Sequence, residues 1–150
     1  MSGKANRVLT YQFAAGLETI YPYISDFKTF GHLHPNMKVV NHLGVGSNGG
    51  KEYEVFEEIA LLWVIKMKPY YKAEILELEK NKHIRYLSQV QKGIHLTIDF
   101  KFETNPDLNR VSVTELVEVT GNVLIANYFI NLLSNIHKGM FEKLADGLRR

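Results

Sequence analysis

The sequence contains no cysteine among its 150 residues, and this absence removes several classes of protein at once. A disulfide framework, a thiolate nucleophile and a cysteine-based metal site are all excluded. His32 and His34 lack a third partner nearby in the sequence, so a histidine-based metal site is not expected either. We therefore expect neither a metal ion nor a cofactor.

Neither sign of charge dominates, and long apolar runs are missing. Lysine and arginine number 18 against 16 acidic residues, a net charge of +2, whereas nucleic-acid binding usually needs a concentrated basic face. The longest apolar run, Ile59 to Ile65, is far shorter than the roughly 20 residues of a membrane-spanning helix. Met1 to Arg7 lacks the apolar stretch of a signal peptide. The sequence predicts a cytoplasmic protein with no nucleic-acid partner and no membrane span.

The spacing of apolar residues switches along the chain between the alternation of strands and the spacing of helices. Alternation around Arg7 to Phe13 predicts a first strand, and helical spacing from Leu17 predicts two short helices, with Asp26 as the cap of the second and Pro22 in the first turn or at a kink. Strands follow at Lys38–Val45, Lys51–Ala60, Tyr70–Leu78, His83–Gln91, Ile94–Glu103 and Arg110–Thr120, with residues 61–67 left as a strand extension, a bulge or a loop. After Asn122 an apolar stripe predicts one helix of about 28 residues, which would cross a whole sheet.

This order favours one particular fold class. Strands that are clustered in the sequence pair through hairpins, so the prediction is an α+β domain over residues 1–150, with an antiparallel sheet and a long C-terminal helix. We find no repeat, linker or low-complexity segment that would divide the chain.

Several phrases of the sequence resemble the START-like, or helix-grip, superfamily, which includes polyketide cyclase/dehydrase and lipid-transport-like proteins. Tyr21 to Pro35 (YPYISDFKTFGHLHP) is similar to its helix pair and the turn that follows, although Leu33 stands where many relatives have tryptophan. Tyr70 to Glu79 and His83 to Tyr86 are similar to its central hairpin. The resemblance implies a seven-stranded antiparallel sheet curved around the last helix, with a cavity between them. Members bind lipids, sterols, polyketides or hormones, and a minority catalyse cyclisation or dehydration.

Two glutamates interrupt apolar strand faces. Glu115 shares a face with Val113 and Val117, and Glu57 shares one with Tyr53 and Val55, so alternation points both carboxyl groups inward. An inward carboxyl group must be protonated, paired or in contact with water. It would then anchor a polar group of a ligand or act as a general base. A bulge, or a position near an open end of the sheet, would instead turn either glutamate outward.

The other candidate site residues are histidines and aromatic or apolar side chains. His34, beside Pro35, is either a ligand contact or a solvated loop residue, and His137 is either a ligand contact or a core histidine bonded to a backbone or carboxylate group. Aromatic walls of a pocket are expected from Trp63, Tyr70, Tyr71, Phe100 and Phe129, and Leu133 lies on the helix stripe, although such residues are more often plain core.

Three functions fit these residues. The leading hypothesis is non-catalytic binding or carriage of a small hydrophobic molecule, lipid-like or polyketide-like. The alternative is a cyclase or dehydratase in which Glu57 or Glu115 acts as acid or base, assisted by His34, His137 or a tyrosine. The third is a protein-interaction module or homodimer contact formed by an exposed patch around Trp63.

Overall fold

A computed structural model describes residues 2–62, 65–91 and 93–148, with the side chains of residues 60–62, 65, 66 and 91 left out. Within these ranges the chain forms strands and three α-helices. In chain order they are β1 (Ser2–Phe13), α1 (Leu17–Ser25), α2 (Phe27–Leu33), β2 (Met37–Val45), β3 (Lys51–Glu57), β4 (Ile59–Leu62), β5 (Ile65–Met67), β6 (Tyr70–Glu79), β7 (His83–Gln91), β8 (Ile94–Asn105), a 3-10 turn (Pro106–Leu108), β9 (Arg110–Asn122) and α3 (Val123–Leu148).

Seven strands form one antiparallel sheet in the order β1-β9-β8-β7-β6-β3-β2. Most neighbours follow one another in the sequence. There are two exceptions: β9 pairs with β1, and β6 pairs with β3. Between β3 and β6 in the sequence, β4 and β5 form a separate hairpin. Irregularities in the β2–β3, β6–β7 and β7–β8 pairings add curvature. The predicted α+β architecture, with its curved sheet and long last helix, is confirmed.

The end of β3 differs from the prediction. The strand predicted to run through Ala60 stops at Glu57, because the backbone N–H of Glu58 donates to the carbonyl oxygen of Asn36 rather than continuing the ladder with β6. The chain then leaves the sheet as the β4–β5 hairpin, which occupies the segment that the sequence left open. Alternation continues across Glu58, so the pattern carries no signal of this break.

The two short helices are confirmed, and local chemistry sets their limits. Asp26 caps α2: its carboxylate accepts hydrogen bonds from the backbone N–H of Lys28 at 3.0 Å and from the Thr29 hydroxyl at 3.2 Å. Pro22 lies in the interior of α1 rather than in its first turn, so its missing N–H falls within the helix. α2 ends at Leu33, and the backbone N–H of its C-cap residue, His34, donates to the carbonyl oxygen of Phe30.

The C-terminal helix α3 has 26 residues, about 39 Å of length, close to the predicted 28. Asn122 caps it by accepting from the N–H groups of Leu124 and Ile125. Its apolar stripe is wider than one packing face requires. Its buried residues are Ala126, Ile130, Leu133, Ser134, His137, Met140 and Phe141, whereas Ile125, Phe129, Leu132 and Ile136 remain exposed or half-buried. Those four line a cavity.

Candidate functional site

A cavity of about 190 Å³ lies between the inner face of the sheet, α2, α3 and the β4–β5 hairpin. Most of its lining is apolar, including Phe30, Met37, Ala73, Leu96, Ile98 and Leu133. An apolar cavity of about 150 Å³ already holds benzene, so this one has room for a compact molecule of about one ring with small substituents. Met67, Ile125 and Tyr128 line the cavity and are also exposed, which places its mouth between β5 and the first turns of α3.

Polar groups collect at the part of the cavity lined by α2, the end of β3 and the middle of α3. The Tyr86 hydroxyl donates to the carbonyl oxygen of Ile24, and the Ser88 hydroxyl donates to that of Lys72, so both are already used. Apart from Tyr128 at the mouth, the groups that remain for a ligand are His34, His137 and the Glu57 carboxyl group. These three side chains form what we call the polar end of the cavity.

Glu115 lies directly behind the polar end. It is 0% exposed on the valine face of β9, and it does not line the cavity itself. The Tyr11 hydroxyl donates to its Oε1 at 2.7 Å, and Nδ1 of His137 lies 2.5 Å from its Oε2. Burial, together with the adjacent Glu115 carboxylate, raises the pKa of Tyr11 far above its usual value, so the phenol remains a donor.

The contacts with Glu115 and Phe30 set the orientation of the His137 ring. In neutral imidazole one nitrogen carries a proton and the other accepts one. In the neutral ring a proton on Nδ1 of His137 is held by Glu115, so Nε2 is the acceptor, and the residue lines the cavity. The ring is also held edge-on against Phe30, at a centroid distance of 5.5 Å.

His34 reaches the polar end from the end of α2. It is 8% exposed, and its Nδ1 accepts a hydrogen bond from the backbone N–H of Asn36 at 3.1 Å, so the ring proton belongs on Nε2. Its ring stands perpendicular to that of His137, with the centroids 6.0 Å apart. Burial, and to a lesser degree the neighbouring His137, lowers the pKa of His34 to about 3. His34 is therefore a neutral donor at ordinary pH.

Glu57 reaches the polar end from the last residue of β3, where its backbone N–H bonds to the carbonyl oxygen of Pro69. The Tyr71 hydroxyl, on the neighbouring strand β6, donates to Oε2 of Glu57. Burial raises the pKa of Glu57, although the Tyr71 hydrogen bond and the nearby His137 oppose this effect. Burial and the Glu57 carboxylate likewise raise the pKa of Tyr71 well above its usual value.

Comparison with known proteins places this geometry in a fold family. No family model and no curated protein matches the sequence. Among solved structures, a START superfamily protein from Mycobacterium smegmatis superposes with a TM-score of 0.72 at 17% identity over 97% of this chain and 99% of that one. Ara h 8.0201 gives 0.69 at 12% identity over 97% and 98%. The Zhui aromatase/cyclase from Streptomyces sp. R1128 gives 0.68 at 14% identity over 98% and 90%.

The chain has the START-like helix-grip fold. At these identities the likeness establishes the fold alone. Within the helix-grip frame, Leu33 packs half-buried against the core and does not line the cavity. The leucine that stands here in place of tryptophan therefore does not contribute to the cavity wall.

The helix-grip structure places most predicted site residues at one cavity. His34, Glu57, Tyr71, Phe129, Leu133 and His137 all line it. Glu115 points inward but stands behind His137, and Phe100 is 0% exposed in the core beside Tyr86 and Phe141. Trp63 lies outside the described residues, and with it the surface patch considered as a protein or homodimer contact.

Three interpretations were wrong. Phe100 was expected in an aromatic wall of the pocket, but it packs in the core and does not line the cavity. The solvated-loop alternative for His34 fails, because the helix end and Asn36 hold the ring inside the cavity wall. Tyr70 is 48% exposed and packs against Phe56 on the outer face, since it alternates with the inward Tyr71. For His137 both alternatives hold at once: the residue is bonded to a carboxylate and it lines the cavity.

Sequence reasoning missed Tyr11 and Glu74. Tyr11 lies on the same buried face of β1 as Phe13, and alternation with Phe13 could have indicated that its side chain points inward. Glu74 lies on the outer face of β6 yet is 6% exposed, because the turn of residues 46–50 folds over it. Its carboxylate accepts hydrogen bonds from the N–H groups of Asn48 and Gly50, and a Cβ at Gly50 would meet the carbonyl oxygen of Ile75 at 2.5 Å.

Two kinds of feature are absent from the described residues. No set of three or more histidine, aspartate or glutamate side chains is grouped so as to hold a metal ion. Over the same part of the chain, no helix is both long and apolar enough to cross a membrane.

Proposed function

We propose that the protein binds or carries a small, mostly apolar molecule that has one polar group, with its apolar body in the cavity and its polar group at the polar end. The observation that carries this proposal is the composition of the cavity: apolar walls, with His34, His137 and Glu57 grouped at one end. Binding sites for small molecules are usually concave and apolar, with a few placed polar groups that set orientation.

The wide apolar stripe of α3 supports the same function. Leu132 and Ile136 are half-buried, and both face the cavity. Burying apolar surface is favourable by roughly 25 cal/mol per Å². A ligand that covers these side chains therefore gains binding free energy without any rearrangement of the sheet.

Indane and 2-indanol, which share one compact ring skeleton, provide the test. We expect both to bind by ligand-observed NMR titration, and 2-indanol to bind roughly fivefold more tightly, because its hydroxyl pairs with the polar end and a net hydrogen bond contributes about 1 kcal/mol. Ala73→Phe, which adds a ring to the cavity wall, should weaken both by at least tenfold. Lys72→Phe is the matched control, since Lys72 is exposed on the opposite face of the same strand.

Several outcomes would contradict the binding proposal. Failure of both compounds to bind would do so, and so would equal affinities of the wild type and Ala73→Phe for these compounds. Extraction and native mass spectrometry of the purified protein then search for the natural ligand. The predicted cytoplasmic location and the homodimer stay predictions.

A cyclase or dehydratase is the second candidate, and two observations favour it. The Zhui aromatase/cyclase has the same fold, and Glu57 brings a carboxyl group with a raised pKa to the cavity wall. Glu115 does not line the cavity, so direct action on a substrate is proposed for Glu57 alone.

A further inference from the structure

His137 and Glu57 offer two different proton-transfer groups to one bound molecule. They come from different elements, the middle of α3 and the end of β3, and both line the cavity. When His137 is protonated, its charge also favours the ionised form of Glu57. Pairs of titratable groups held in different surroundings are the arrangement from which acid and base roles arise.

The hydrogen bonds assign the base. Because Glu115 holds the Nδ1 side of His137, Nε2 carries the lone pair, and the hydrogen bonds of the described residues include no partner for it. A carboxylate that holds one imidazole nitrogen orients the other and stabilises the imidazolium that forms when it takes a proton. Tyr11 completes this support from behind by holding the other oxygen of Glu115.

The hydrogen bonds also assign the acid. Tyr71 occupies Oε2 of Glu57, which leaves Oε1 for a proton or for a ligand oxygen. Burial favours the protonated form of this carboxyl group by raising its pKa. A protonated carboxyl group in an apolar cavity donates a hydrogen bond to an oxygen on which negative charge develops.

We propose that His137 Nε2 and the Glu57 carboxyl group move protons between carbon and oxygen of a bound cyclic ketone, with Glu115 and Tyr11 as positioning residues. This inference rests on the proposed binding function, which supplies the ketone's site. The carbonyl oxygen is placed at Glu57 and the neighbouring C–H group at His137, while the apolar ring fills the cavity.

Each step of this transfer balances. The C–H bond next to the carbonyl breaks and its proton goes to Nε2 of His137. The electron pair of that bond forms the C=C bond of the enol as the C=O π bond opens, and the oxygen takes the proton of Glu57. On the return path the carbon takes a proton from Nε2 and Glu57 recovers its own. No oxidant, reductant or second substrate is needed.

2-Indanone in D₂O tests the proposal, because its ring CH₂ groups flank the carbonyl and their exchange for deuterium is read by ¹H NMR. We expect wild type to accelerate exchange at least 100-fold over buffer containing the same concentration of imidazole. His137→Asn keeps a hydrogen-bonding amide near the position of Nδ1 and removes Nε2. It should return exchange to the buffer rate while the Kd of 2-indanone changes less than threefold.

Two further variants separate the roles. Glu57→Gln should lower the rate roughly 10- to 100-fold with Kd kept, since an amide can donate a hydrogen bond but cannot give up its proton to the enol. Tyr11→Phe should lower the rate with Kd unchanged, which is the signature of a positioning residue. His95→Asn, an exposed histidine on β8, is the control and should match wild type.

The pH profile gives an independent readout. The rate should fall at high pH as Glu57 loses its proton, and this fall should be absent in Glu57→Gln. The groups facing Glu57 are Tyr71 and His137, and those facing His137 are Glu115, His34 and Glu57.

Three outcomes of these experiments would refute different parts of the proposal. Binding of 2-indanone without accelerated exchange by wild type overturns the proton-transfer proposal and leaves the binding function intact. Acceleration that persists in His137→Asn overturns the assigned base. If no compound of the indane series binds, the binding function fails, and this inference fails with it.

Discussion

Removal of the Tyr11 hydroxyl tests the buried cluster behind the cavity with the smallest possible change. Tyr11→Phe deletes one oxygen atom and leaves the ring, which packs 4.5 Å from Phe141 between centroids. Its single polar consequence is the loss of the 2.7 Å hydrogen bond to Glu115. The substitution therefore reports on that hydrogen bond without opening a large cavity.

The expected cost follows from the acceptor. A hydrogen bond to a charged group contributes roughly 1.5–3 kcal/mol net, and an acceptor left short of partners in the interior retains its desolvation cost. Glu115 is 0% exposed, so water cannot take the place of the phenol without local opening. We expect the free energy of unfolding to fall by about 2 kcal/mol. For a chain of this size that corresponds to a melting temperature lower by roughly 4–8 °C.

Urea denaturation followed by circular dichroism measures this change, and the chain contains a matched control. Tyr70 also donates to a glutamate, Glu54, at 3.2 Å, but that pair is exposed. Tyr70→Phe should leave the stability unchanged, because solvent replaces the phenol. In a Glu115→Gln background, Tyr11→Phe should cost less than in wild type. Equal stabilities of Tyr11→Phe and Tyr70→Phe would refute the reasoning.

Two further predictions concern His34 and Glu74. Because the pKa of His34 is about 3 against 6.5 in the unfolded chain, only the unfolded chain takes up this proton between those values, so stability is lost as pH falls below 6.5. His34→Gln should reduce the loss of unfolding free energy between pH 7 and pH 5 by about 2 kcal/mol, measured by urea denaturation at both pH values. An unchanged pH dependence of the unfolding free energy would contradict this prediction. Glu57, whose raised pKa acts in the opposite direction, is common to both proteins and cancels. Glu74→Gln should speed amide hydrogen exchange at Asn48 and Gly50, which donate to its carboxylate; unchanged protection would show that the turn holds without it.

The large-scale architecture could be predicted because it depends on period. The eight-residue and longer alternations of β8 and β9 and the helical spacing of α3 each report which face is buried, and hydrophobic burial decides that locally. The end of β3 could not be predicted, because it depends on the hydrogen bond from Glu58 to Asn36 in another segment. The same is true of Glu74, whose burial depends on the turn that folds over an outer face.

The candidate site was predictable only in part, for a related reason. A glutamate among valines marks Glu115 as unusual from the sequence alone, and alternation gives its direction. Its partners are 104 residues away at Tyr11 and 22 residues away at His137. Alternation fixes no strand order, and helical period does not fix the rotation of α3 over the sheet. The cluster therefore emerges only when β1 pairs with β9 and α3 crosses them.

The α3 stripe shows how a cavity is hidden in a sequence. A side chain that packs against the sheet and one that faces an open cavity are equally apolar, so Ile136 and Ile130 look alike in the pattern. In the structure Ile130 is 1% exposed, whereas Ile136 is half-buried at the cavity wall. An apolar stripe wider than one packing face thus indicates surface that faces a cavity rather than the packed core.

Stability alone does not account for the Tyr11–Glu115–His137 cluster. Well-packed apolar residues in place of a buried polar or ionic group are often neutral or stabilising, because taking charged groups out of water is costly. Val113 and Val117 show that the same face of β9 accommodates valine on either side of Glu115. A chain selected only to fold has no need of a carboxylate there. What Glu115 provides instead is a fixed ring orientation for His137, a residue that lines the apolar cavity. The cluster therefore favours a role at the cavity over a role in the core.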